Sequence, residues 1–209
     1  MLRIAVNSPK DEEALRRITA LFAADGVIAY PTDTLYGLGC APGSTKALNR
    51  IYRIKGREHT KPLPLLLDEP WRLNSWCEDI PPSARRLMKY WPAPLTLVMK
   101  VRSGLPPDLL RGGTELGFRV PAHTLCRAIC AAAGGTLTST SANRSGEQAL
   151  ALPEEITREF DAEIDAFVDI GPLPPSLPST VVLCVGEQFK VIRHGAFAVP
   201  VSQDWKTED

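Results

Sequence analysis

Apolar runs of strand length alternate along this chain with stripes at helical spacing, and that interleaving restricts the fold more than any other feature. Residues 27–30, 63–67, 95–101, 116–120 and 137–139 are short runs that read as strands. Between them, Leu48, Ile51, Tyr52 and Lys55 recur at helical spacing across 45–55, and 82–90, 124–133 and 154–160 also read as helices. Near the start, Ser8-Pro9 ahead of Asp11, Glu12 and Glu13 predicts a helix capped by the serine hydroxyl. Its stripe of Ala14, Leu15, Ile18, Leu21 and Phe22 stops at Gly26. Residues 180–185 and 188–193 flank Gly186-Glu187 in the pattern of a hairpin. Such alternation gives the α/β class, with a mixed sheet because of the late hairpin and helices flanking it.

A length of 209 residues suits one large domain, expected over 1–201, with 202–209 as a frayed tail. The proline-rich stretch at 171–178 is read as a long loop inside that domain, because an apolar strand follows it. Lys and Arg number 24, as do Asp and Glu, so any affinity for polyanions must come from a local cluster rather than the whole surface. The first residues carry no signal-peptide core, and nowhere do 18 apolar residues run together. The expectation is a cytoplasmic protein without membrane attachment. Five cysteines without a C-x-x-C pair are read as buried or free reduced thiols. Cys126 and Cys130 with His123 make no convincing metal set. The glycosylation sequon Asn143-Arg144-Ser145 has no use in a chain that stays in the cytosol.

Three segments carry candidate chemistry. The first is the basic run Arg50, Arg53, Lys55, Arg57, His59 and Lys61, opposed only by Glu58. If the helix ends near Lys55, then Lys55, Arg57 and Lys61 can converge on a polyanion from the loop that follows. Charge alone also fits a solvated basic helix end. The second is the hydroxyl-rich stretch 136–146, where Ser139, Thr140, Ser141 and Asn143 follow a short strand and can cradle a carboxylate or phosphate. The third is the turn 31–39, which holds Thr32 and Thr34 and ends in Gly37-x-Gly39. There is no Walker loop, no zincin helix and no nucleophile elbow, and three histidines leave little for imidazole chemistry.

Seven strings in order then resemble one family: YPTDTLYGLGC at 30–40, RIYRIKGREHTKPLPLLL at 50–67, WPAPLTLVM at 91–99, GFRVPAH at 117–123, TSTSANRSGE at 138–147, STVV at 179–182 and VIRHGAF at 191–197. They are similar to the YrdC/Sua5 family, the threonylcarbamoyl-AMP synthases of tRNA modification. The resemblance implies a twisted mixed sheet curled around a basic cavity. It also implies conversion of L-threonine, bicarbonate and ATP into threonylcarbamoyl-adenylate and diphosphate, with Mg²⁺ accompanying ATP and no tightly bound protein-ligated metal. Carried over by motif, Lys55 and Arg57 form a K-x-R element, and Ser141 and Asn143 an S-x-N element. Thr32, Thr34, Arg119, Ser141 and Ser179 would line the threonine and carboxylate side. Lys55, Arg57, Lys61, Ser139, Asn143 and Arg193 would hold ATP. The implied partners are the transferase machinery that acts on tRNA and tRNA itself.

The chemistry agrees with that assignment. An N-carboxylated amino acid decomposes in water, so a solvent-excluding pocket must protect it while its carboxylate attacks the α-phosphate. Both groups are anionic, and cations reduce their repulsion without a strong general base. The sequence departs from the family at Lys61, often Asn, and at Leu66, where some longer relatives have His. It departs again at 147–155, where EQALALPEE leaves an expected ATP contact near Leu150 open, and at His194, a neutral change. Two other readings fit the same fold: a carbamoyl-adenylate former, disfavoured by the absence of Cys pairs, and a non-catalytic RNA-binding module, disfavoured by neutral charge and few aromatics.

Overall fold

The computed structural model describes residues 1–6, 8–56 and 61–200. Arg57 of the K-x-R element and the tail from 202 lie outside the described residues. The described residues form strands β1 (Leu2–Ala5), β2 (Ile28–Tyr30), β3 (Gly37–Gly39), β4 (Leu65–Leu67), β5 (Leu95–Lys100), β6 (Glu115–Arg119), β7 (Thr136–Thr138), β8 (Thr140–Ser141), β9 (Ala166–Asp169), β10 (Thr180–Val185) and β11 (Gln188–Arg193). The helices are α1 (Glu12–Ala23), α2 (Thr45–Lys55), α3 (Pro82–Met88), α4 (Pro107–Leu110), α5 (Thr124–Ala132) and α6 (Pro153–Phe160), with a 3₁₀ turn at Pro70–Ser75.

The mixed α/β class holds, but the strands divide into two sheets. One runs in the order β1-β9-β2-β3-β8 and the other β11-β10-β5-β6-β4-β7. Parallel pairs such as β1 with β9 and β10 with β5 sit beside antiparallel pairs such as β5 with β6 and the β10–β11 hairpin. The stretch 136–141 takes part in both sheets. Its β7 half pairs with β4 and its β8 half pairs with β3, so the backbone changes sheets at Ser139. Thr138 fixes the crossing: its carbonyl accepts from the Tyr30 hydroxyl at 3.1 Å, and its own hydroxyl accepts from the Cys40 amide at 2.9 Å.

The pleat of β5 and β6 decides which side chains face inward. Leu95, Leu97, Met99, Leu116 and Phe118 point into the hydrophobic core, which leaves Thr96, Val98, Gly117 and Arg119 on the opposite face. Helix α2 begins at Ser44, whose hydroxyl accepts from the Ala47 amide, and stops at Gly56 in the left-handed conformation, φ 57°. That stop leaves Lys55 as the last helical residue rather than part of the following loop.

Helix α1 departs from expectation at its start. Asp11, not Ser8, is the N-cap, because its carboxylate reaches the Ala14 amide at 3.0 Å, while Ser8 belongs to the preceding turn. The proline-rich stretch at 171–178 is a loop, as anticipated.

All five cysteines are buried and unpaired. Burial pushes the thiols of Cys40 and Cys184 up to about 12 and that of Cys77 up to about 11. A neutral buried thiol favours the folded state, and this contribution fades as pH climbs from the ordinary thiol range toward those values. A thiol reagent at pH 8 should therefore label fewer than one cysteine per native chain and all five in denaturant. Rapid labelling of the native protein would contradict this burial.

Candidate active site

The face of β5 and β6 opposite the core, with β10 and β4 beside them, forms the floor of a cavity of about 690 Å³. The turn after β2, the last residue of α2 and the segment after β7 wall it in. Thr32, Thr34, Lys55, Lys61 and Arg119 line it, as do Ser139, Ser141, Asn143, Ser179 and Arg193. These come from stretches of chain far apart in sequence and converge on one hollow. Of the basic run, Arg50 does not join them: it donates to the Glu163 carbonyl at 2.9 Å and pairs with Asp165 at 2.6 Å.

One wall is a knot of three side chains. Lys55 is only 4% exposed, and its Nζ donates to the Ser141 carbonyl and to Asn143 Oδ1, each at 2.7 Å. The Ser141 hydroxyl donates to the same Oδ1 at 2.6 Å. Asn143 Nδ2 is anchored on the carbonyls of Arg144 and Glu147. A cation in so little water is tolerated only when its donors are satisfied, and this knot holds the ammonium at the cavity wall. Lys61 sits at the exposed rim, and its carbonyl accepts from the Tyr52 hydroxyl at 2.8 Å. The Arg111 guanidinium in turn stacks on the Tyr52 ring at 4.1 Å.

The opposite wall carries two guanidiniums, those of Arg119 and Arg193. Arg119 is 5% exposed, with Nη1 3.5 Å from Asp33 Oδ1 and 3.4 Å from the Thr34 hydroxyl. Its Nε is buried without a hydrogen-bond partner. The second oxygen of Asp33 accepts from the Ala122 amide at 3.0 Å. Arg193 approaches from β11, donating to the Ser179 carbonyl and hydroxyl, and Ser179 is hydrogen-bonded to Thr96 at 2.9 Å. Arg193 is exposed, yet its pKa is lowered, first by partial burial of the head group and then by the charge of Arg119. Two guanidiniums that repel one another across a hollow are relieved by an anion between them. Thr32 uses its hydroxyl to shape the turn, accepting from the Thr34 and Leu35 amides, and so leaves Thr34 facing the cavity.

Asp33, Tyr52 and Arg144 were not singled out in the sequence as site residues, since each acts through a partner distant along the chain. Leu66 lines the cavity but brings no polar atom to it. Leu150 is partly buried against the core, its amide held by the Ala142 carbonyl at 3.0 Å. His123 does not line the cavity. It caps α5, accepting from the Cys126 amide through Nδ1, and burial lowers its pKa in keeping with a neutral acceptor.

Fold and site together define an α/β protein that gathers Lys55, Lys61, Arg119 and Arg193 around one cleft. The chain belongs to the Sua5/YciO/YrdC family, whose model, described as Telomere recombination, matches residues 20–195. A threonylcarbamoyl-AMP synthase from Thiobacillus denitrificans is 38% identical over 154 residues, which cover 73% of this chain and 82% of that protein. The structure of P. abyssi Sua5 complexed with L-threonine superposes with a TM-score of 0.84 at 26% identity, over 93% of this chain and 57% of that one. E. coli YciO superposes with a TM-score of 0.82 at 28% identity, over 93% and 94% of the two chains. Among the described residues, no helix is long and apolar enough to cross a membrane.

Proposed function

We propose that this chain is a threonylcarbamoyl-AMP synthase: it joins L-threonine, bicarbonate and ATP into threonylcarbamoyl-adenylate and diphosphate. The observation that carries the reading is the pairing, in one cavity, of the Lys55–Ser141–Asn143 knot with the Arg119–Arg193 wall. The knot suits phosphate and Arg119 suits a carboxylate, with Arg193 assigned to the nucleotide. The relatives named for this activity support the same conclusion.

In this reading Arg119, Ser179 and Ser141 receive the threonine carboxylate, and Thr34 contacts the amino acid from a turn that Thr32 shapes. Lys55, Arg57, Lys61, Ser139, Asn143 and Arg193 hold ATP. The threonine amine takes up bicarbonate with loss of water, and the new carboxylate oxygen attacks the α-phosphorus while its bond to the diphosphate breaks. The attacking group is already an anion, so the protein's part is to neutralise, align and exclude water. Among the described residues no cluster of three or more His, Cys, Asp or Glu could hold a metal. In this reading Mg²⁺ accompanies the phosphates of ATP as part of the substrate. The product is a labile mixed anhydride, which calls for a transferase that delivers it to tRNA. Residues 1–201 act as one catalytic domain in the cytoplasm.

The test is diphosphate release from purified protein. It should require threonine, bicarbonate and ATP together, and release that continues without threonine would overturn the assignment. Gly117 supplies a second check. A Cβ there would stand 2.9 Å from Thr96 Cγ2 and 3.3 Å from Pro64 Cβ, on the cavity floor. Gly117→Val should raise the KM for threonine at least about tenfold, because overpacking a tight site displaces what must fit beside it. A threonine titration of the variant reads this directly.

A further inference from the structure

Arg144 lies immediately after the S-x-N element, outside the cavity lining. Its guanidinium is a hub behind the cavity wall. Nη1 donates to the Ile54 carbonyl at 2.5 Å, Nε to Glu159 of α6 at 2.6 Å, and Nη2 pairs with Glu163 just beyond α6. The face of the group lies over the Phe160 ring at 5.5 Å. One residue on, the Ser145 amide donates to the Lys55 carbonyl at 2.9 Å.

The last carbonyls of a helix have no partner inside it and carry its negative dipole end. Here the carbonyls of Ile54 and Lys55, at the end of α2, are both taken by the segment that holds Ser141 and Asn143. Lys55 returns the contact through its Nζ, so backbone and side-chain bonds close a ring between helix end and loop. Arg144 is the member of that ring tied to a third element, the α6 region. Its guanidinium is held firmly charged by hydrogen bonds to Glu163 and then Glu159.

We infer that Arg144 is a positioning residue for the nucleotide side of the cavity: by bracing the end of α2 against the S-x-N loop and α6, it sets where Lys55 and Asn143 meet the phosphates. It touches no substrate itself. The inference rests on the proposed function for the identity of the ligand, but not for the geometry. Of the groups proposed for threonine only Ser141 lies on the braced loop, while Arg119, Thr34 and Ser179 stand on other stretches of chain. Threonine should therefore feel the loss of Arg144 far less than ATP does.

The experiment is calorimetric titration of Arg144→Met and Arg144→Lys with ATP and, separately, with threonine, run well below each variant's thermal midpoint. Arg144→Met should weaken ATP about tenfold or more and leave threonine within about twofold, since misplacing a binding group by a fraction of an ångström is enough for such a loss. Arg144→Lys, which keeps a cation at the helix end, should recover part of the ATP affinity. A lowered thermal midpoint with unchanged ATP affinity, or equal weakening of both ligands, overturns the inference. Should Arg144→Met not fold, Glu163→Gln removes one brace more gently and should weaken ATP alone, about threefold; no selective loss there also overturns it. If wild-type protein binds neither ligand, the functional proposal fails instead. Amide exchange then decides the bracing: the Ser145 N–H should exchange faster in Glu163→Gln if Arg144 holds the ring, and unchanged exchange overturns it.

Discussion

Replacing Lys55 by Met should reduce diphosphate release by about a thousandfold or more, the largest loss expected of a single substitution described here. The ammonium is the cation of the knot, and its removal withdraws a charged donor from a water-poor wall where a phosphate must be neutralised. The methionine keeps the length of the stem, so packing around α2 is largely preserved. It also leaves Asn143 Oδ1 with one donor fewer and the Ser141 carbonyl without its Nζ partner. Neither acceptor is left empty, since the Ser141 hydroxyl still donates to Oδ1 and the Asn143 amide to the Ser141 carbonyl. Two hydrogen bonds to a charged donor are nonetheless lost at about 1.5–3 kcal/mol each, and a lower thermal midpoint should accompany the kinetic defect. Steady-state rates measured well below that midpoint separate the two effects. Turnover within tenfold of the parent would remove Lys55 from the phosphate site.

The second large effect belongs to Arg119. Arg119→Lys should raise the KM for threonine by about a hundredfold while ATP binding stays close to normal, because an ammonium cannot reproduce a planar fork aimed at a carboxylate. The charge is retained, so Asp33 is not left alone. Arg119→Ala would strand that carboxylate, whose side chain is 7% exposed, and breaking such a pair destabilises by about 3–5 kcal/mol. The lysine variant is thus the cleaner probe of binding and the alanine variant of stability. If both kept the parental KM for threonine, the carboxylate subsite would have to lie elsewhere.

The sequence made some elements legible because their signals are local. Helix α2 was read with its observed bounds, since Ser44 and Gly56 mark its ends and Leu48, Ile51 and Tyr52 its buried face. Strands β5 and β6 were read from apolar runs bounded by proline and glycine. Strands β1, β3, β8 and β9 were not. They are two to four residues long, and β3 carries two glycines whose reason is tertiary: a Cβ on Gly39 would lie 2.1 Å from the Thr138 carbonyl oxygen. The division into two sheets was invisible for the same reason, being settled at Thr138 by partners about a hundred positions away. Of the residues that line the cavity, Lys55, Lys61, Ser139, Ser141, Asn143, Thr32 and Thr34 stood out in local charge, hydroxyl and turn patterns, while Arg119, Ser179 and Arg193 were found only through motif resemblance. Those that support them, such as Asp33 and Arg144, escaped because an ion pair across the fold leaves no trace in local spacing.

The change of sheet at Ser139 also bears on how this protein matures. Tyr30 and Cys40 must find Thr138 across separations of 108 and 98 residues before either sheet is joined to the other. Closures over such separations slow folding and come after local helices and hairpins. The hollow should therefore be completed late in folding. Conversely, a ligand that occupies the finished hollow favours the complete fold over every partial one, by about 2.7 kcal/mol at a hundredfold excess over Kd. Its supply would act as a chaperone for the newly made enzyme.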